Sequence, residues 1–261
     1  MVSSGGLERT YILHVPASYD GSAPSPLVLN FHGFTSNATQ QAAYSTLPAK
    51  SDEAGFIVVT PQGTGAPAFW SLSRTSEPDD VRFTADLLDA LEAELCIDPA
   101  RIFSTGMSNG AAFSYLLACE LPDRIAAIGP VAAHFVPSDC TGRPVPIRAF
   151  HGTEDPIVPF AGGELGLGLS ERFGTVPSVQ ETVASWAGRY GCAAEPVASQ
   201  VTANVRLQRY ESCDAPVELY IVDGGGHTWP DAIDVAILGE TTHEINAAEL
   251  IWEFFTAHPA P

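Results

Sequence analysis

The chain holds 261 residues, 45% apolar and 16% charged, ample material for one packed α/β domain and incompatible with wholesale disorder. Acidic residues outnumber basic ones 31 to 12, a formal charge of −19. That balance makes nucleic acid and anionic membranes poor partners. No apolar run reaches the roughly 18 residues of a membrane span. The opening Met1 to Gly6 shows no basic stretch before an apolar one, so no leader peptide is expected.

Residues Tyr11 to Val15 alternate and stop at Pro16, which predicts an early strand. Pro26 to Phe31 is apolar on both faces and ends at His32-Gly33, the pattern of a buried parallel strand. A helix is expected over Gln40 to Ala54, then a second buried strand over Phe56 to Thr60. Asp79 to Leu95 follows a helical period, with Asp79 and Asp80 at its favoured acidic start. Arg101 to Thr105 predicts a strand, and the Ala-rich Ala111 to Cys119 a buried helix. Strands are expected over Ile125 to Ala132 and Ile147 to Phe150. A helix over Val179 to Tyr190, a last strand over Val217 to Val222 and a closing helix over Ile245 to Phe255 complete the chain. Strands alternating with helices predict a doubly wound, mostly parallel sheet, with residues 1–261 as one domain. The Gly-rich stretch from Pro156 to Pro177 is the one long irregular segment, and loops of that length are usually functional or mobile.

Gly106-Met107-Ser108-Asn109-Gly110 matches G-x-S-x-G. Its position between a predicted strand and a predicted helix carries more weight than the pentapeptide, which chance also produces. A tight strand-to-helix turn crowds the backbone, and Gly at both flanks relieves it. Ser108 would then stand above the carboxyl edge of the sheet at the positive end of a helix, where developing negative charge is favoured.

A serine hydroxyl needs a base, and in this arrangement the chain order is Ser, acid, His. His227 lies just past the last strand in Gly224-Gly225-Gly226-His227, where the glycines let a loop carry an imidazole over the sheet edge. His134 and His151 come too early to be that base, and His243 and His258 read as surface residues. Asp155 lies on the loop after the Ile147 to Phe150 strand, where a triad acid belongs. Its neighbour Glu154 is the competitor, and a turn-capping Asp is the plain alternative. The oxyanion hole needs two backbone N–H donors. Asn109 is expected to give one and Phe34 the other, with Thr35 as the alternative. His32 reads as a structural histidine shaping that turn. Trp70 and Trp229 are candidates for the substrate pocket, against ordinary packing. Phe160 and Leu165 are candidate lid contacts.

Several blocks together resemble the secreted polyhydroxybutyrate depolymerase-like esterases, kin of the feruloyl esterases of carbohydrate esterase family 1. They are Phe31-His32-Gly33-Phe34, Pro78 to Phe83, Asp98 to Ile102, Gly106 to Gly110, Ala126 to Val131, His151 to Pro156 and Gly225 to Pro230. The resemblance implies an α/β-hydrolase fold, a Ser108, His227 and Asp155 triad, no cofactor, no metal and an extracellular setting. Ala111 stands where many relatives have a second Gly after the nucleophile block. The resemblance also implies a Cys119–Cys140 disulfide, with Cys96–Cys119 as its rival. Cys192 and Cys213 flank a short excursion whose closure is worth about 3 kcal/mol in the entropy model. Cys96 is left reduced.

The expected activity is hydrolysis of hydroxyalkanoate, aryl or feruloyl-type esters, small or polymeric, by a monomer through an acyl-enzyme. A peptidase or acyltransferase on the same fold, or an inactive hydrolase-like binding module, are the competing readings. Labelling by an active-site organophosphate separates catalyst from binder, and a panel of esters separates the hydrolases.

Overall fold

The computed structural model of the chain describes residues 1–73 and 77–261. Nine strands form the main sheet: β1 (Tyr11–His14), β2 (Ser25–Phe31), β3 (Ile57–Pro61), β4 (Ile97–Met107), β5 (Ile128–Val131), β6 (Ile147–Gly152), β7 (Val197–Gln200), β8 (Val205–Tyr210) and β9 (Val217–Val222). Their spatial order is β7-β8-β9-β6-β5-β4-β2-β3-β1. The six strands from β9 to β3 run parallel. The antiparallel strands β1, β7 and β8 lie toward the two edges.

The pleat explains the unbroken apolar runs. Leu27, Leu29 and Phe31 point into one core layer while Val28 points into the other, and Ile57 and Val59 alternate with Val58 in the same way. Helices α3 (Asp80–Glu94), α4 (Asn109–Glu120) and α6 (Val179–Arg189) cover the first face, and α7 (Ala247–Ala257) covers the second. Asp79 caps α3 by accepting from the Arg82 N–H at 2.9 Å. Ser178 and Glu181 close a capping box on α6. Every residue of α4 from Gly110 to Cys119 is buried, which is why that helix reads as Ala-rich rather than amphipathic.

Two expectations need correction. The helix over Gln40 to Ala54 is two helices, α1 (Ala38–Tyr44) and α2 (Leu47–Ala54), separated at Thr46, whose φ is 56°. Pro48 lacks an N–H and fits only the first turn of a helix, so it starts α2 instead of continuing α1. The excursion between Cys192 and Cys213 carries the strand pair β7 and β8. β7 is exposed along its whole length, so it lacks the apolar alternation that announces a strand.

Disulfides join Cys119 to Cys140 and Cys192 to Cys213, and Cys96 is free. Among the described residues no helix is long and apolar enough to cross a membrane. From β2 the chain moves to β3 on one side and then to β4 on the other, so the winding reverses between β2 and β4. Ligands of open α/β sheets bind outside the carboxyl ends of strands at such a reversal.

Candidate active site

Ser108 stands at that reversal, between the end of β4 and the start of α4. Its backbone holds φ 55° and ψ −123°, an uncommon conformation for a residue with a Cβ. Its N–H is fixed to the Val131 carbonyl at 2.9 Å. The flanking glycines are required by close approach. A Cβ on Gly106 would lie 2.6 Å, and one on Gly110 2.2 Å, from the Phe31 carbonyl oxygen. The start of α4 is thus pressed against the end of β2, and only residues without a side chain fit between.

His227 follows β9 and is buried. Its Nδ1 lies 2.8 Å from Asp155 Oδ2. A carboxylate there accepts, so Nδ1 carries the proton and Nε2 is left free as a base. No hydrogen bond joins Ser108 Oγ to His227 among the described residues, but both side chains line one cleft. Such contacts often tighten only when substrate is bound.

Asp155 is held from three sides. Its Oδ1 accepts from the N–H groups of Ile157 and Val158, both at 2.8 Å. Its Oδ2 faces His227 and, at 3.3 Å, the Nε2 of His151. Burial pulls this carboxyl upward, but the charge of His227 and the hydrogen bonds from both imidazoles outweigh it and hold the group well below the usual carboxylate range. Glu154, the competing acid, is exposed.

The N–H of Asn109 opens α4. The Thr35 N–H is committed to the Ala68 carbonyl at 3.0 Å, which leaves Phe34 as the donor available on the β2 loop. His32 shapes that loop: Nδ1 donates to the Gly33 carbonyl at 2.8 Å and Nε2 accepts from the Gly63 N–H at 2.9 Å. Burial lowers its affinity for a proton.

Trp70 and Trp229 do not line the site. Both are fully buried. Trp70 stacks among Phe31, Phe83 and Phe113 and donates from Nε1 to the His32 carbonyl at 2.9 Å. The Asn109 amide grips the same segment, accepting from the Trp70 N–H at 2.6 Å and donating to its carbonyl at 3.1 Å. Trp70 therefore braces the loop that presents Phe34. Trp229 packs in the second core layer beneath α7.

Two clefts meet at Ser108. One, of about 520 Å³, is lined by Ala112, His134, Phe135, Leu165, Arg172 and Val176 among others. The second, of about 810 Å³, contains His227 with Tyr44, Leu167, Val235 and Ile237. Leu165 reaches the first cleft, whereas Phe160 turns inward against His151. Arg172 lies over the rings of Phe34, Phe69 and Phe173, with ring centroids 4.7 to 5.4 Å away. His134, at the wall of the first cleft, donates from Nε2 to the Pro177 carbonyl at 2.8 Å. Burial first, and His151 second, push it down to about 4.

The roles of His134, His151 and Arg172 were not legible in the sequence. The one available signal was the four-residue spacing of His151 and Asp155.

A family model described as Esterase PHB depolymerase matches residues 9–138. Feruloyl esterase B of Piromyces equi is 30% identical over 234 residues, 85% of this chain, and the chain spans 43% of that protein's length. Feruloyl esterase C of Emericella nidulans is 28% identical over 258 residues, covering 95% of this chain and 84% of that one. An acetyl xylan esterase structure from Aspergillus awamori superposes with a TM-score of 0.70 at 17% identity, over 94% of this chain and 93% of that one. The architecture is the α/β-hydrolase fold. The chain is similar to the Esterase PHB depolymerase family over residues 9–138 and to feruloyl esterases over most of its length.

Proposed function

We propose that the chain hydrolyses carboxylic esters by a serine mechanism, with Ser108 as nucleophile, His227 as base and Asp155 as the acid that orients it. The observation carrying this reading is the buried His227–Asp155 hydrogen bond beside a serine in strained backbone at the sheet reversal. Ser108 Oγ attacks the ester carbonyl while His227 Nε2 takes its proton. The carbonyl oxygen, now an anion, is held by the N–H groups of Phe34 and Asn109. Collapse breaks the bond to the alcohol, which leaves with the proton from His227. Water then attacks the acyl-serine by the same route in reverse.

The two clefts take different halves of the substrate. The leaving alcohol must lie within reach of His227, so it occupies the larger cleft. The acyl group lies on the other side of Ser108, in the 520 Å³ cleft beneath Leu165 and Arg172. That apolar space suits an aryl or hydroxyalkanoyl group, and the feruloyl esterase relatives support the aryl choice. Two disulfides fit secretion to an oxidising compartment.

The test is a fluorophosphonate probe with intact-mass detection, followed by turnover of feruloyl, short-acyl and hydroxyalkanoate esters. A single adduct on Ser108 and turnover of these esters are expected. A protein that resists the probe, or that cleaves peptides while ignoring esters, would overturn the reading.

A further inference from the structure

His151 is 1% exposed at its side chain and lines neither cleft, yet it touches the proposed acid directly. Its Nε2 lies 2.8 Å from the Val158 carbonyl and 3.3 Å from Asp155 Oδ2. A carbonyl only accepts, so Nε2 carries the proton and shares it between the two oxygens. Val158 in turn donates its N–H to Asp155 Oδ1. His151, Asp155 and Val158 therefore form a closed ring of hydrogen bonds that ties the end of β6 to the loop bearing the acid. The spacing in His151-Gly152-Thr153-Glu154-Asp155-Pro156-Ile157-Val158 is what this ring requires.

The consequence reaches past the loop. His151 and His227 approach the same carboxylate oxygen, so each competes for its charge. We propose that His151 is a positioning residue for the reaction: it fixes Asp155 through the Val158 buckle and draws charge from Oδ2, which lowers the pH at which His227 becomes a free base. This rests on the Ser108–His227–Asp155 reading above. The groups facing His151 are few. Asp155 lies at Nε2, the neutral His134 ring packs edge-on with centroids 5.5 Å apart, and the Phe160 ring lies 6.0 Å away. Its register partner on β9 is the apolar Ile221. Glu154 on the same loop points to solvent.

The direction of the effect follows from charge. An N–H on Oδ2 weakens the attraction of Asp155 for a protonated His227. Removing that donor strengthens the attraction, so His227 keeps its proton to higher pH.

The test compares His151→Phe and His151→Gln with wild type, using kcat/KM against pH and an NMR titration of the His227 ring. In His151→Phe, the rise of kcat/KM should move upward by about half a pH unit or more. The NMR transition of His227 should move with it. By analogy with the hydrogen-bond partners of metal-ligating imidazoles, kcat should fall about tenfold. KM should stay within about twofold, because the residue touches neither cleft. His151→Gln restores an N–H donor and should return the profile toward wild type. Where His151→Phe does not fold, His151→Asn, whose amide stops short of Asp155, is expected to give the same shift. A purely structural role would lower stability and leave the pH profile in place. That outcome, an effect on KM alone, or a Gln variant no better than Phe would overturn the inference. Ser108→Ala separates the two readings: if it keeps esterase activity, the serine mechanism itself falls. If it is inert while the folded His151 variants match wild type, only the positioning role falls.

Discussion

The floor of the site is packed throughout, whereas its roof is packed only where it is tied down. On the floor, the ends of β2 and β4 meet with no space to spare, and Gly106 and Gly110 abut the Phe31 carbonyl. In the roof, between Phe160 and Pro177, a Cβ added to Gly168 or Gly174 meets nothing within 4 Å, whereas one on Gly166 would lie 1.9 Å from the Pro156 carbonyl oxygen, where the segment is tied to the floor. Arg172 and Phe173 are exposed there, in the four-residue helix α5 (Ser170–Phe173). The floor fixes the proposed nucleophile in one geometry, and close packing is what transmits that precision. The roof only bounds the cleft proposed to take the acyl group, so it admits variation. Its ties to the floor are few and specific, among them the His134–Pro177 and Gly166–Ile157 hydrogen bonds.

Breaking the floor should give the largest effects. Ser108→Ala is expected to lower kcat/KM on the order of 10⁴-fold or more while thermal unfolding stays cooperative. Steady-state kinetics beside calorimetry checks both halves. Asp155→Asn should cost turnover on the order of 10⁴, because the amide favours the wrong His227 tautomer. A trivial loss would redirect attention to Glu154. Gly110→Ala tests packing rather than chemistry. Forcing a methyl to within 2.2 Å of the Phe31 oxygen should destabilise the chain by about 3 kcal/mol or more, read from the urea midpoint.

The tie between the two regions gives a pH test. His134 sits near 4 in the folded chain, below the ordinary imidazole value of 6.5. The unfolded chain therefore takes up this proton first. Its contribution to stability is complete above about pH 6.5 and is lost as pH falls toward 4, up to about 3 kcal/mol. The urea midpoint of wild type should fall across that window, and His134→Gln should flatten the fall. The smallest effect belongs to the roof. Arg172→Gln should change stability by less than about 0.5 kcal/mol, raising KM for aryl esters a few-fold with kcat retained. An equal loss on short acetyl esters would mean that Arg172 serves the floor as well.

The same contrast explains what could be read from sequence. The parallel strands were legible because burial on both faces leaves unbroken apolar runs such as Pro26 to Phe31. The Ser108 turn was legible because its glycines answer a local steric demand. Trp70 was misplaced because an indole reads alike in a pocket and in a core. Only the tertiary contacts to Phe83, Phe113 and His32 decide it. β7 escaped notice because an edge strand facing water carries no apolar period. The His151 ring escaped because it closes through the Val158 backbone, whose bonding no side-chain pattern records.

The Cys119–Cys140 bond has a consequence for how the enzyme is made. Cys119 lies in the last turn of α4, eleven residues from Ser108 at its start. Reduction would therefore remove the covalent anchor of that helix end and leave its burial in the core as what holds it. Enzyme produced in a reducing cytosol should turn over substrate at the normal rate when fresh, then lose activity faster on warming. Batches from the two cellular settings would look identical in an initial-rate assay and diverge only in shelf life.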